Sequence, residues 1–230
     1  MTFRTLPALF SAALLVCASC AAADEAGKPI PAPMADETKA HASGSETAVL
    51  SGGCFWGMQG LFEHVKGVRH VVAGYSGGGT ATAQYETVSS GTTGNAESVK
   101  ITFDPAVISY GQILRVFFSV AHDPTEVDRQ GPDEGTQYRS DIFFANAEQE
   151  KVARAYIGQL ERGRIFGAPI ATRVDRLSGF YPAETYHQDY LIHHPDSPYI
   201  VFNDLPKIAG LKTTYPELYS EKPVTVAAAR

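Results

Sequence analysis

The run Gly53-Cys54-Phe55-Trp56-Gly57 holds the residue types in this chain best suited to chemistry. Thr47-Ala48-Val49-Leu50 before it reads as a short buried strand, and Gly52-Gly53 permit a tight turn. The stretch from Cys54 to about Val65 reads as a helix burying Leu61, Phe62 and Val65. A cysteine at a helix N-terminus meets unpaired backbone N–H groups and the positive end of the helix dipole. Both favour the thiolate, the attacking form, and lower the thiol pKa. A cysteine can also be a small buried apolar residue with no reactivity. Phe55 and Trp56, the chain's single tryptophan, are core-type residues on their own. Beside a nucleophile they can wall an apolar pocket for a small alkyl group.

The elements that must position this run follow along the chain. Val68 to Tyr75 reads as a strand closed by Gly77-Gly78-Gly79, and Val99 to Phe103 as a strand stopped by Asp104-Pro105. Ile108 to Ala121 has Ile113, Leu114, Phe117 and Val120 on one face of a helix. Residues 122–137 read as a polar loop and Asp141 to Phe144 as a strand. Ala147 to Leu160 reads as a helix with Glu148, Glu150, Lys151 and Arg154 outside, and Ile170 to Asp175 as a strand. Residues 180–195, aromatic and His-rich, give no clear element. Strands and helices intermix without a dinucleotide fingerprint, which predicts an α+β fold, a mixed sheet with helices packed on it.

The termini are of different material. Arg4 is the only charge before Asp24, and an apolar stretch from Leu6 to Val16 gives way to small residues through Ala23. This pattern predicts an export signal over residues 1–23, too short for a membrane span of about 20 apolar residues. Ala21-Ala22-Ala23 fits cleavage before Asp24, while Cys20 after Ala18-Ser19 resembles a lipoprotein attachment site; both routes stay open. Either implies an exported protein, periplasmic or otherwise extracytoplasmic, with no transmembrane helix once processed. Cleavage before Asp24 leaves Cys54 as the single thiol. Residues 24–45, rich in Pro, Ala, Ser and charge, read as a flexible linker, residues 46–220 as one domain, and 221–230 as a loose tail. The net charge of −6 argues against a nucleic-acid partner, since such proteins are usually basic. A monomer is expected.

Several chemistries fit a lone reactive cysteine. Cys54 with His122 or His187 could form the nucleophile–base pair of a hydrolase or transferase. HExxH does not occur, and CxxC spacing is confined to Cys17 and Cys20 of the expected export signal; although His193 and His194 are adjacent, no metal is expected. A binding protein would need the pocket but not the thiol.

GCFWG resembles the active-site motif of the peptide methionine sulfoxide reductase A family. The resemblance extends in order through Gly74-Tyr75-Ser76-Gly77-Gly78, Tyr85-Glu86-Thr87-Val88, Gly94-Asn95-Ala96-Glu97, His122-Asp123-Pro124, the run from Arg129 to Ser140, Phe180 to Glu184, and Tyr186 to Leu191. It covers about residues 46–205. It implies a two-layer sandwich with a ferredoxin-like core, and reduction of the S epimer of methionine sulfoxide, free or in proteins. Cys54 would be the nucleophile and pass through a sulfenic acid, with Glu97 as the acid. Phe55 and Trp56 would hold the substrate's S-methyl group. Tyr85 and Tyr138 would hydrogen-bond the sulfoxide oxygen, and Asp133 would line the pocket. Singly, each has a plainer reading: a solvated Glu97, packed tyrosines, an Asp133 that caps its loop. His187 and Asp189 would support the pocket wall. Asn95 stands where His is common in the family and Pro132 where Asn is common; neither removes a catalytic group. Many family members carry resolving cysteines near the C-terminus, but no cysteine follows Cys54 here. The resemblance therefore implies no bound cofactor and an external reductant, a thioredoxin-like protein or a small thiol.

Overall fold

The computed structural model describes residues 27–37 and 44–226. The expected export signal, with Cys17 and Cys20, lies outside the described residues. Strands β1 (Glu46–Ser51), β2 (Val68–Ser76), β3 (Ala96–Phe103), β6 (Asp141–Phe144), β7 (Arg173–Arg176) and β8 (Phe180–Pro182) form one mixed sheet in the order β7-β6-β1-β3-β2-β8. A separate two-residue hairpin joins β4 (Arg129–Gln130) and β5 (Asp133–Glu134) within the loop expected over 122–137. In the sheet β1 lies between β3 and β6, with Leu50 opposite both Val99 and Ile142. This central position explains why Ala48, Val49 and Leu50 form an unbroken apolar run, all buried. Among the described strands only β6 and β7 pair in parallel, and the 16-residue helix α4 (Ala147–Arg162) supplies the crossover that a parallel pair requires.

Helix α1 (Phe55–Glu63) packs on β2 and β3. Helix α3 (Tyr110–Val116) starts at Ser109, whose side chain and Gln112 form a reciprocal capping box. The expected single helix over 108–121 instead widens into a π turn at Phe117–Ala121 before His122 turns extended. In α4 the Asn146 side chain caps Glu148 and Gln149, and Gln149, Val152, Ala153, Tyr156 and Leu160 are buried. The outward face holds Glu148, Lys151 and Arg154, as its 3.6-residue period requires. Residues 185–193, opaque in sequence, form a 3-10 turn (Thr185–His187) and the short helix α5 (Tyr190–His193). A second π turn, Ile200–Asp204, leads into α6 (Leu205–Thr214), and both pack on α1.

Residues 27–37, expected from composition to belong to a linker, lie along α3 and α4. Extended proline-rich backbone leaves its carbonyls without internal partners, and side chains of the body supply them. Arg115 donates to the Ile30 carbonyl, the Tyr156 hydroxyl to that of Pro31 at 2.7 Å, and Gln159 to that of Ala32. Asp36 accepts from the backbone N–H of Gly111. Ile30 is 2% exposed and belongs to the core. One anchoring isoleucine has no period, so a search for amphipathic pattern passes over it. Ile30→Ala should cost about 2 kcal/mol, at the low end for a buried large-to-small change because the segment can lift away. A lowered urea midpoint measures it; an unchanged midpoint would mean the segment is not held in solution.

The expected loose tail is held as far as residue 226. The backbone N–H of Val224 donates to the Glu63 carbonyl, and that of Val226 to the Asp189 carboxylate. Among the described residues no helix is long and apolar enough to cross a membrane.

Candidate active site

The chain leaves β1 through Gly52 and Gly53, and Gly53 takes φ +91°, a region a side chain resists. A Cβ at Gly53 would stand 2.7 Å from the Gln130 side chain, so the turn also needs the missing side chain for space. It delivers Cys54 to the N-cap of α1, 8% exposed, as the sequence predicts. The backbone N–H of Trp56 is directed toward the thiol and favours its anion, without forming a capping hydrogen bond, as does the charge of Lys207. Burial nevertheless pushes the thiol well above its ordinary value, and the charges of Glu97 and Asp204 add to that. The helix terminus alone suggested the opposite direction. Its effect is present but smaller than the cost of ionising a thiol in a desolvated site.

Glu97 lies on β3 opposite Tyr75 of β2, 3% exposed. Its carboxylate accepts from the backbone N–H of Phe55 at 3.0 Å, so the acid and the cysteine flank one peptide unit. Burial raises its pKa to about 8, the Phe55 N–H opposes, and Asp133 and Asp204 raise it further. The carboxyl is therefore neutral at pH 7, when the Glu97 share of the opposition to Cys54 ionisation is absent. In the unfolded chain it ionises near its ordinary 4.5. Between pH 4.5 and 8 the folded form holds a proton the unfolded form has lost, so this stabilising contribution disappears as pH rises through 8. Glu97→Gln has no such proton. Its melting temperature should gain on the native protein's as pH goes from 5 to 9, and a constant difference would contradict the assignment.

Aromatic rings surround these two groups. Phe55 is 1% exposed, against Tyr75 and His187 at ring-centre distances of 5.8 and 5.0 Å, and so forms a floor more than an open wall. Trp56 is only partly buried. It stacks on Tyr190 at 3.8 Å, meets Tyr199 edge-on at 5.9 Å, and donates its indole N–H to His187 Nδ1 at 3.1 Å. Burial lowers the His187 pKa, and the Trp56 bond leaves the proton of the neutral ring on Nε2.

Tyr85 opens the short helix α2 (Tyr85–Val88) with its ring 4.5 Å from His187. Its backbone N–H donates to Glu184, which also takes the Tyr75 hydroxyl. Tyr138 is half-buried, and burial raises its hydroxyl pKa, with Glu97, Asp133, Cys54 and Tyr85 adding. Both hydroxyls thus stay protonated donors at neutral pH. Asp133 on β5 accepts a short hydrogen bond from the Tyr199 hydroxyl. All seven residues singled out from sequence, Cys54, Phe55, Trp56, Tyr85, Glu97, Asp133 and Tyr138, meet around the start of α1.

Sequence reasoning missed Tyr190 and Tyr199, one stacked on Trp56 and the other edge-on to it, and the Asp204–Lys207 pair beside Cys54. The first two sit in a run of aromatics with no period. The charges follow the apolar Ile200-Val201-Phe202 and look like an ordinary helix start.

The family model for peptide methionine sulfoxide reductase matches residues 46–218. The chain belongs to the peptide methionine sulfoxide reductase A family. It is 58% identical over 188 residues to peptide methionine sulfoxide reductase MsrA 2 of Mesorhizobium japonicum, covering 82% of this chain and 96% of that one. It is 52% identical to the MsrA 2 of Synechocystis sp., covering 82% and 89%. Among solved structures, reduced Mxr1 of Saccharomyces cerevisiae is similar at a TM-score of 0.59 with 32% identity, over 66% of this chain and 87% of that one. Methionine sulfoxide reductase A of Corynebacterium diphtheriae gives 0.57 and 31%, over 74% and 87%. As an MsrA the protein is an oxidoreductase, and the matched span holds the whole aromatic-lined site. The docked segment 27–37 precedes that span.

Proposed function

We propose that this MsrA reduces the S epimer of methionine sulfoxide, free or in proteins, with Cys54 as nucleophile and Glu97 as acid. The observation that carries the reading is the pairing across one peptide unit of a thiol and a carboxyl that stays protonated to about pH 8. A sulfoxide oxygen leaves only when protonated, and a neutral buried acid can supply that proton. Tyr85 and Tyr138 donate hydrogen bonds to the oxygen as the S–O bond polarises. The exposed part of Trp56, over the Phe55 floor, takes the S-methyl group, a contact that sulfur and aromatic rings favour. Asp133, held by Tyr199, fixes the far side of the pocket.

The Cys54 sulfur attacks the substrate sulfur as Glu97 protonates the oxygen. An S–S bond forms as the S–O bond breaks, and the oxygen leaves as water carrying the thiol proton and the Glu97 proton. Water then attacks the Cys54 sulfur, the S–S bond breaks with its electron pair going to the departing thioether methionine, Cys54 is left as a sulfenic acid, and the proton released returns to Glu97. Cysteine is oxidised by two electrons and the sulfoxide reduced by two. With no cysteine after Cys54, an external thiol attacks the sulfenic acid, releasing water and forming a mixed disulfide that a second thiol opens. A thioredoxin-like dithiol or a small thiol meets that requirement.

The reading extends to the setting. The βαββαβ path of β1, α1, β2, β3, α3 and β6, with strand order β6-β1-β3-β2, supports a ferredoxin-like core. The composition of residues 1–23 supports export and action outside the cytoplasm, by plain cleavage or by lipidation at Cys20. The decisive assay mixes the enzyme, without reductant, with the separated epimers of a methionine sulfoxide peptide. About one equivalent of methionine from the S epimer and none from the R epimer is expected. Equal release from both, or none from either, would overturn the reading.

A further inference from the structure

Helix α1 carries a second glycine on the side that faces the C-terminal segment. A Cβ at Gly57 would stand 1.9 Å from Asp204 Oδ1 and 2.9 Å from Lys207 Nζ. Gly57 lies three residues after Cys54, on the same face of the helix start. The pair therefore occupies the notch that the missing side chain leaves, within one turn of the reactive sulfur. Lys207 Nζ holds Asp204 Oδ1 at 3.1 Å, and the Asp204 side chain is fully buried. Its second oxygen, Oδ2, is buried with no hydrogen-bond partner, a costly arrangement unless the charge has a use. The Ile200–Asp204 turn and α6, which carry the pair, pack directly on α1.

We propose that Asp204 and Lys207 are positioning residues that set the reactivity of Cys54, Lys207 favouring the anionic sulfur and Asp204 opposing it. The proposal deepens the thiol mechanism above and rests on Cys54 being its nucleophile. The other titratable groups facing Cys54 are Glu97 of β3, Tyr85 of α2, Tyr138 and Tyr199. All of them are neutral or negative, so Lys207 is the one cation among these groups. It offsets a surrounding that otherwise discourages ionisation, in keeping with the directions of the effects on the thiol. Asp204 anchors the ammonium in place and limits how far it acts.

The test is the alkylation rate of Cys54 in the full chain, read by peptide mass between pH 7 and 10. Below the thiol pKa this rate follows the thiolate fraction, and it requires no substrate. At pH 9 Lys207→Gln should alkylate about three- to tenfold more slowly than the native protein, and Asp204→Asn about three- to tenfold faster. Lys207→Arg, which keeps the charge, should restore the native rate within about twofold. A packing role alone would move both neutralising variants the same way, so rates that change together, or not at all, would overturn the proposal. If Asp204→Asn does not fold, Lys207→Gln against Lys207→Arg still decides, because equal rates in those two would refute the charge effect. Methionine release by the native protein is measured alongside. Its absence would sink the reductase mechanism, while the alkylation rates would still report on the pair.

Discussion

Cys54→Ser should abolish methionine formation and leave the protein at least as stable as before. Cys54 is the N-cap of α1, with backbone angles of −55° and 125°, and its side chain makes no capping hydrogen bond. Serine is among the best residues for that position, and capping can contribute about 1 kcal/mol. The change also keeps the size of a side chain that is 8% exposed. The melting temperature should hold or rise by about two to four degrees. Chemistry goes the other way. A serine hydroxyl ionises far less readily than a thiol, and its oxygen is a poor nucleophile toward sulfur. Activity should fall by a factor on the order of 10⁴ or more. The opposite signs make the result informative: the native chain keeps a poor cap where a good one would fit. Activity within tenfold of native would assign the chemistry to another group.

Glu97→Gln should have the next largest effect, a loss of about 10²- to 10⁴-fold in turnover under excess reductant. Glutamine preserves the shape and still offers an oxygen to the Phe55 N–H, but has no acidic proton. The pH profile separates acid catalysis from a structural effect. The native acid is protonated below about pH 8 and ionises above it. Sulfoxide reduction measured before reoxidation should therefore lose this contribution as pH rises through 8, approaching tenfold per unit. The thiolate fraction of Cys54 rises over the same range, so the rate should climb to about pH 8, level off as the two effects cancel, and fall once the thiol is itself ionised. The glutamine variant should keep only the rising limb. A variant that retains the falling limb would place the acid elsewhere.

The legible part of this protein was local. The strand, glycine turn and helix around Cys54 follow from apolar period and Gly53, and the structure keeps them within a residue or two. The outward face of α4 likewise follows from spacing. The assembly of the site was not legible from residue pattern. Glu97 meets the Phe55 N–H because β3 pairs with β1, Leu50 opposite Val99, a long-range register. Its proposed role as the acid was visible only through family resemblance. The direction of the Cys54 shift was hidden for a related reason: sequence shows a helix terminus, but burial emerges only once β3, the 129–138 loop and the C-terminal segment close around it. Tyr199, Asp204 and Lys207 carried no signal, since the neighbour they serve lies some 150 positions earlier in the chain. Residues 27–37 were misjudged because their order depends on partners in Arg115, Tyr156 and Gln159.

The most direct measurement is the fate of Cys54 in one turnover. The native protein would be mixed, without reductant, with a methionine S-sulfoxide peptide and a cyclic 1,3-dione that captures sulfenic acids, then digested and weighed. One dione adduct on the Cys54 peptide, matched by about one equivalent of released methionine, is expected. Methionine released with Cys54 still an unmodified thiol would contradict the sulfenic acid chemistry.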